Sequence, residues 1–216
     1  MDAPRGEIEI VFPIPDGPVG EAVIAKASSG RAALKFFLGP PERRSKLFRR
    51  ALRRDRVIAA VRGTEVLGFV AFKLDKKGPY GATLRDFQEE YGRVGGLGRF
   101  LVFSFAEYRE RSRNLYLHGI VVDPGARRQG AGSALVEALV RQAERAGCPA
   151  VEVEVAAQND GALRMYANKG FVAVHVTHLG PLRRFFPFAA LVKLVRPVAQ
   201  PAVQPRSAPA RRLSHS

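Results

Sequence analysis

The 216-residue sequence contains one cysteine, no tryptophan and no long apolar run. Its single cysteine, Cys148, excludes an intramolecular disulfide and is typical of a protein that works in the reducing cytoplasm. Residues 1–15 lack a basic start followed by an apolar stretch, so no signal peptide is expected. The apolar segment 185–195 is interrupted by Pro187 and Lys193 and is far shorter than the roughly 20 residues of a membrane-spanning helix. We therefore expect a cytoplasmic protein with no membrane partner.

Acidic residues are also scarce. The chain has 35 Lys and Arg against 20 Asp and Glu, for a formal net charge of +15, and such an excess favours nucleic acid, acidic membranes or a polyphosphate cofactor. The segment 196–216 holds four arginines and no acid, and its Pro, Ala, Gln and Ser content cannot bury apolar surface. We therefore expect a disordered basic tail over 196–216, after one folded domain over 1–195.

Apolar periodicity and turn residues predict a mixed α/β domain in one piece. The predicted strands are 7–12, 56–61, 65–74, 115–122, 150–156, 171–179 and 184–195. The predicted helices are 20–37, 41–54, 82–91, 98–112, 130–146 and 160–168. The glycine-rich segment 95–98 is predicted to separate the two helices on either side of it.

The segment 121–133 runs from a strand through a tight turn into a helix. Gly130 and Gly132 leave the backbone open to a ligand, and the N–H groups of a helix start bind phosphate. Arg127 and Arg128 add full positive charges, so the segment suits a pyrophosphate. Two glycines alone would equally suit an ordinary helix start beside solvated arginines. The Gly-Lys-Ser/Thr end of a Walker loop and the third glycine of the dinucleotide fingerprint are both absent.

A second motif lies at a definite distance downstream. It reads Asn159-x-x-Ala162-x-x-x-Tyr166-x-x-x-Gly170-Phe171. Together with Arg127-x-x-Gly130-x-Gly132, it resembles the GNAT superfamily of N-acetyltransferases over about residues 115–179. The resemblance implies a single domain with a mixed, mostly antiparallel sheet, which is splayed at the cofactor site and carries helices on both faces.

The resemblance also implies acetyl-coenzyme A as cosubstrate and a set of residues that bind it. These residues are Ile120, Val121 and Val122 along the pantetheine arm, Arg127, Arg128, Gln129, Gly130, Ala131, Gly132 and Ser133 around the pyrophosphate, and Asn159. Asn159 also suits the N-cap of the following helix, and both roles are compatible. No cluster of His, Cys, Asp or Glu has metal-ligand spacing, so no metal is expected.

Tyr166 occupies the position that the resemblance assigns to the general acid. A phenol with a pKa of about 10 is protonated at neutral pH and can donate to a thiolate. A half-buried aromatic residue on a short helix is the structural alternative for this tyrosine.

His118 is the candidate general base. Many family members place a glutamate on the strand before the turn, and this sequence has Tyr116 at that position. Strand alternation puts His118 on the same face as Tyr116, and its offset is similar to that of a histidine in arylalkylamine N-acetyltransferases. An imidazole of pKa near 6.5 can accept a proton directly or through water. A strand histidine held by backbone hydrogen bonds is the structural alternative.

Two charged segments are open to both a functional and a structural interpretation. Residues 75–114 stand where the family usually has a short turn, and acids there could attract a cationic amine or belong to ordinary amphipathic helices. The acids are Asp86, Glu89, Glu90, Glu107 and Glu110. The arginine-rich helix 41–54 is interpreted as a solvated face rather than a site for nucleic acid or phosphate.

These observations predict an N-acyltransferase that moves an acetyl or similar group from acetyl-coenzyme A to a primary amine, by direct attack in a ternary complex. The acceptor is expected to be a small-molecule amine or a protein amino group, and a homodimer is compatible with the sequence. A non-catalytic acyl-coenzyme A-binding regulatory module is the alternative. Nucleic-acid binding is disfavoured because no binding motif or interleaved surface aromatics accompany the charge.

Overall fold

The computed structural model describes residues 7–29, 38–108, 113–180 and 188–199. Its strands are β1 (Glu9–Val11), β2 (Val57–Arg62), β3 (Glu65–Lys73), β4 (Leu115–Val122), β5 (Ala150–Ala156), β6 (Val172–His178) and β7 (Ala190–Pro197). Its helices are α1 (Pro18–Ser29), α2 (Pro41–Ala51), α3 (Leu84–Tyr91), α4 (Arg93–Tyr108), α5 (Ala131–Arg145) and α6 (Asp160–Ala167). The predicted mixed α/β order of elements is confirmed.

The seven strands form one sheet in the order β1-β2-β3-β4-β5-β7-β6. Every neighbouring pair is antiparallel except β4 and β5, which are parallel. The parallel pairing covers only Leu115–Leu117 and Val151–Val153, after which β4 continues beside β3 and β5 beside β7. The sheet therefore opens between the carboxyl ends of β4 and β5, which confirms the predicted splay.

Helices cover both faces of the sheet, as expected. Along β2, Ile58 and Ala60 pack into the core under α5, whereas Val57, Ala59 and Val61 pack into the core under α1 and α2. This period of two follows from the pleat of a strand buried on both sides. Of the helices described, none is long and apolar enough to span a membrane.

The predicted break between the helices of the insertion is misplaced. Helix α4 begins at Arg93, so the glycine-rich segment 95–98 lies inside its first turns. The chain turns instead at Gly92, which has a φ of +76°. Gly96 is a packing residue, because a Cβ atom there would lie only 2.6 Å from the carbonyl oxygen of Phe87 on α3.

The ordered chain extends beyond the predicted domain end at residue 195. Strand β7 runs to Pro197, which pairs with Ala150 of β5, and Val198 is buried. Arg196 reaches Glu137 on α5 at 3.5 Å. Residues 196 and 197 therefore belong to the sheet and not to a tail, and residues 200–216 lie outside the described residues. The same holds for the parts of the predicted elements that fall on 30–37, 109–112 and 181–187.

Candidate active site

Backbone groups at the end of β4 face the opening in the sheet. The N–H of Asp123 donates to the carbonyl of Leu67 on β3 at 2.9 Å. Because successive N–H groups of a strand point to opposite sides, those of Val122 and Ile120 point away from β3, toward the side where β5 has diverged. Arg127 folds back on this strand end and its Nε donates to the Val122 carbonyl at 3.4 Å.

The start of α5 has the features of an anion site. Gly130 is its N-cap with a φ of +91°, and a Cβ atom built on it would meet nothing within 4 Å. The first hydrogen bond of the helix joins the Ala134 N–H to the Gly130 carbonyl at 2.9 Å. The N–H groups of Ala131, Gly132 and Ser133 precede that bond and have no partner within the helix. Open space next to unpaired N–H groups fits a pyrophosphate.

The turn before α5 is braced by side chains. Gln129 donates from Nε2 to the Gly125 carbonyl at 2.5 Å and accepts from Nη2 of Arg62 at 3.0 Å. Arg128 has a φ of +59°, a left-handed conformation that costs a non-glycine residue on the order of 1–3 kcal/mol. Arg62 adds a cation beside the turn that sequence reasoning missed, because nothing near Arg62 signals its contact with a loop so distant in sequence.

The elements predicted to bind the cofactor meet in space. A Cβ atom on Gly132 would lie 3.6 Å from Val122 Cγ2 and 3.6 Å from Met165 Sδ, so the start of α5, the end of β4 and α6 are in contact. Ile120 and Val122 pack against the core cluster that includes Tyr166. Val121 points to the opposite face, as the alternation of the strand requires.

Tyr166 is almost fully buried, with 2% of its surface exposed, and its ring packs edge-on against Phe171 with centroids 5.2 Å apart. Burial raises the pKa of Tyr166 above its ordinary value of about 10. The phenol therefore keeps its proton throughout the physiological range. It is in the protonation state that a hydrogen-bond donor to a leaving thiolate requires.

Asn159 is the N-cap of α6, because its side chain accepts a hydrogen bond from the Ala162 N–H at 3.2 Å. The capping role considered from the sequence is confirmed. A cofactor contact would have to use the amide nitrogen or the remaining capacity of the oxygen.

His118 lies at a bulge in β4. In the pairing with β3, Ala71 faces Gly119 and Phe72 faces Leu117, so His118 is the extra residue between them. Such bulges redirect a side chain and are common beside active sites. The sequence alternation predicted the strand but not this irregularity.

The His118 ring contacts Tyr80, with centroids 5.8 Å apart and the planes at 71°. Tyr80 in turn stacks on Phe48 of α2 at 4.4 Å. His118 therefore faces the α2 side of the sheet, whereas Tyr166 belongs to the core on the α5 side. The predicted acid and base therefore lie on opposite faces of the sheet.

Glu152 is a buried carboxylate on β5, and it lies opposite Tyr116 of β4 in the pairing of the two strands. It forms an ion pair with Lys193 at 2.8 Å and accepts a hydrogen bond from Asn114. Because these two partners already engage the carboxylate, Glu152 is a weaker candidate base than His118.

The insertion 75–114 builds a cavity of about 310 Å³. Tyr80 forms part of its wall, which places the cavity next to His118. Phe100, Phe103 and Ser104 contribute from α4, and Arg53 and Lys77 contribute from the surrounding loops. The second helix of the insertion, α4, is therefore part of the wall of a pocket, which periodicity alone could not indicate.

The acids of the insertion that the structure describes serve its packing. Asp86 caps α3 by accepting from the Thr83 N–H at 2.7 Å. Glu89 pairs with Arg50 at 2.8 Å, and Glu90 approaches Arg43 at 4.0 Å. These pairings favour the structural interpretation of the acids over the attraction of a cationic amine.

The arginines of α2 lie on a largely solvated face, as interpreted from the sequence, and several of them pair with acids of neighbouring helices. Besides the contacts with α3, Arg49 pairs with Glu21 of α1 at 2.6 Å and lowers the pKa of that carboxyl through a hydrogen bond. Arg44 is buried. Much of the arginine charge is therefore used to join helices.

Cys148 is buried. Burial raises the pKa of its thiol, and the charge of Asp75 raises it further. A thiol in that state is a poor nucleophile. Within the described residues, no group of three His, Cys, Asp or Glu side chains is placed to hold a metal ion.

Comparison with known proteins identifies the family. Residues 31–171 match the acetyltransferase (GNAT) family. Over 55 residues the chain is 42% identical to the ribosomal protein bS18-alanine N-acetyltransferase of Escherichia coli strain K12, covering 26% of this chain and 37% of that relative. The chain thus matches little more than a third of the length of that curated relative.

Solved structures agree on the fold. The ribosomal-protein-S18-alanine N-acetyltransferase from Escherichia coli superposes with a TM-score of 0.53 at 17% identity, covering 91% of this chain and 97% of that one. The NatC complex bound to Gag peptide and CoA gives a TM-score of 0.52 at 17% identity, covering 88% and 99%. Because the family match spans most of the described chain, this protein belongs to the acetyltransferase (GNAT) family.

Proposed function

We propose that the protein transfers an acetyl group from acetyl-coenzyme A to a primary amine by direct attack in a ternary complex. The observation that carries this proposal is the contact between the start of α5, the splayed end of β4 and α6, which bears Tyr166. The relative from Escherichia coli is named for the acetylation of a protein alanine, which is a reaction of this class.

The N–H groups of Ala131, Gly132 and Ser133 would hold the cofactor pyrophosphate, helped by the charge of Arg128 and the helix dipole. The pantetheine arm would enter the opening beside β4 and bond to the backbone of Ile120. The N–H of Val122 would then donate to the thioester carbonyl and stabilise the oxyanion that forms on attack.

Two proton transfers complete the reaction. His118 would take the proton of the attacking amine on the α2 side of the sheet, where the insertion cavity admits the acceptor. Tyr166 would donate to the sulfur on the α5 side as the carbon–sulfur bond breaks. No covalent enzyme intermediate is involved, which agrees with the buried, weakly acidic thiol of Cys148.

The acceptor is proposed to be a protein amino group or a small amine, and the site of action the cytoplasm. The named substrate of the Escherichia coli relative, a ribosomal protein, supports both points. Nucleic-acid binding is disfavoured further by the structure, because several arginines of α2 are paired with acids.

The proposal is tested by incubating the protein with acetyl-coenzyme A and a panel of amines and N-terminal peptides. We expect equal amounts of released thiol and N-acetylated product, with little thiol released when the amine is omitted. A folded protein that binds coenzyme A but acetylates none of the panel would support the non-catalytic binding module instead. Retention of labelled DNA by the protein at physiological salt would support nucleic-acid binding.

A further inference from the structure

The cavity built by the insertion is cationic. We propose that it recognises an anionic group on the acceptor, several bonds from the reacting amine, so that an N-terminus followed by an acidic side chain is preferred over a neutral one. The inference rests on the proposed acetyltransferase function and names the substrate class of the same site.

Three cations line the cavity, namely Arg53, Lys76 and Lys77. Among the described residues, none of the three side chains forms an ion pair or hydrogen bond, in contrast to the paired arginines of α2. Unpaired cations around a concave site create a local positive potential that attracts an anion. Two acids of α3 have other partners, because Asp86 accepts from the Thr83 N–H and Glu89 pairs with Arg50.

The three cations are held in place rather than carried on loose chain. Leu74 and Lys77 exchange backbone hydrogen bonds of 2.9 and 3.1 Å, which closes a two-residue turn. The central residues of the turn, Asp75 and Lys76, have φ angles of 50° and 63°. Arg53 lies across Gly81, where a Cβ atom would come within 2.7 Å of its Nε, so the glycine leaves room for the guanidinium.

The position of Tyr80 sets the reach of the acceptor. Its ring forms part of the cavity wall and lies 5.8 Å from that of His118, so the cations share a wall with a residue that contacts the candidate base. The carboxylate of a free amino acid is only two bonds from its amine, and we expect it to fall short. An extended peptide advances about 3.3–3.6 Å per residue, so an acid on the second residue reaches the cations. Phe100 and Phe103 provide an apolar wall for the intervening chain.

The test compares two peptide amides, Ala-Asp-Ala-Phe and Ala-Asn-Ala-Phe, as acceptors with saturating acetyl-coenzyme A. We expect kcat/KM to be about tenfold higher for the acidic peptide at low ionic strength, since exposed pairs with several cations each add a modest gain. Added salt should reduce the ratio. The kcat/KM of free alanine should differ from that of alaninamide only by the amount that their different amine pKa values explain.

Charge-reversal variants locate the effect. Lys77→Glu should bring the ratio of kcat/KM for the acidic peptide over that for the neutral peptide to about one or below. Lys46→Glu makes the same charge change on an exposed position of α2 outside the cavity and should leave the ratio unchanged. If Lys77→Glu is poorly folded, Lys77→Gln should still lower the ratio.

Equal kcat/KM for the two peptides, or equal responses of the two variants, would overturn the inference and leave the acetyltransferase function standing. If no peptide is acetylated, calorimetric binding of the same pair to the coenzyme A-loaded protein replaces the kinetic readout. A preference for the acidic peptide there would uphold the cavity assignment while the proposed function fails. Equal binding would overturn the assignment.

Discussion

Replacing Tyr166 by phenylalanine removes one oxygen atom and leaves the ring packed against Phe171. The hydroxyl is needed only when negative charge develops on the sulfur, so the change should affect the chemical step and not cofactor binding. We expect kcat to fall by about 10²- to 10⁴-fold, the usual contribution of a positioned acid or base, which corresponds to roughly 3–5 kcal/mol of transition-state stabilisation.

The assay is single-turnover thiol release with acetyl-coenzyme A preloaded, which separates chemistry from product release. Tyr91→Phe is the matched control, because burial also raises the pKa of Tyr91 but this residue lies on the other face of the sheet. Its hydroxyl donates to the Leu38 carbonyl at 2.8 Å, so its loss should cost about 1 kcal/mol of stability and leave the rate unchanged.

An unchanged single-turnover rate in Tyr166→Phe would remove this tyrosine from the mechanism. A lower rate accompanied by an equal loss of cofactor affinity would instead show that the residue supports packing. Calorimetry with coenzyme A distinguishes these two results.

The remaining predictions concern the base, the pH dependence of folding and the domain end. His118→Ala should lose most activity at low pH, where acceptor amines are protonated, and less as pH approaches the amine pKa; an equal loss at every pH in initial-rate profiles would indicate a structural role. The free energy of unfolding should fall above pH 10, because Tyr166 ionises in the unfolded chain but not in the folded one, and urea titrations of Tyr166→Phe should show a smaller fall. Removing residues 200–216 should leave the melting temperature nearly unchanged, whereas removing 196–216 should lower it by several degrees, since Val198 and the Arg196 contact with Glu137 are lost; equal melting temperatures would place the domain end at 195.

Local sequence signals predicted the elements well, and the segments predicted to bind the cofactor meet in space. The helix start at Gly130, the cap at Asn159 and the buried strand 115–122 each depend on residues close in sequence. Their meeting at the end of β4 follows once the order of strands is known, because α5 connects the two strands that splay.

The errors come from contacts between distant segments. The glycines at 95–98 look like a break, but Gly96 is needed where α4 crosses the backbone of α3. Arg196 looks like the start of a basic tail, yet β5 and α5 bind it into the sheet.

The acceptor side could not be predicted for the same reason. Lys76 and Tyr80 lie in the connection between β3 and α3, whereas Arg53 follows α2 and Phe100 lies on α4, and no spacing in the sequence brings these segments together. The acids of the insertion were compatible with a cationic substrate or with ordinary amphipathic helices, and the pairing of Glu89 and Glu90 with α2 favours the second interpretation.

The central claim is that the start of α5 holds the pyrophosphate of coenzyme A. Its most direct measurement is the coenzyme A-induced rise in melting temperature of Gly130→Glu, whose side chain would occupy the open space at the helix start. Gly147→Glu is the control, because Gly147 follows the other end of α5, also has a positive φ of 66° and also has nothing within 4 Å of a built Cβ atom. We predict that coenzyme A raises the melting temperature of the wild type and Gly147→Glu but not that of folded Gly130→Glu. An undiminished rise in Gly130→Glu would contradict the account.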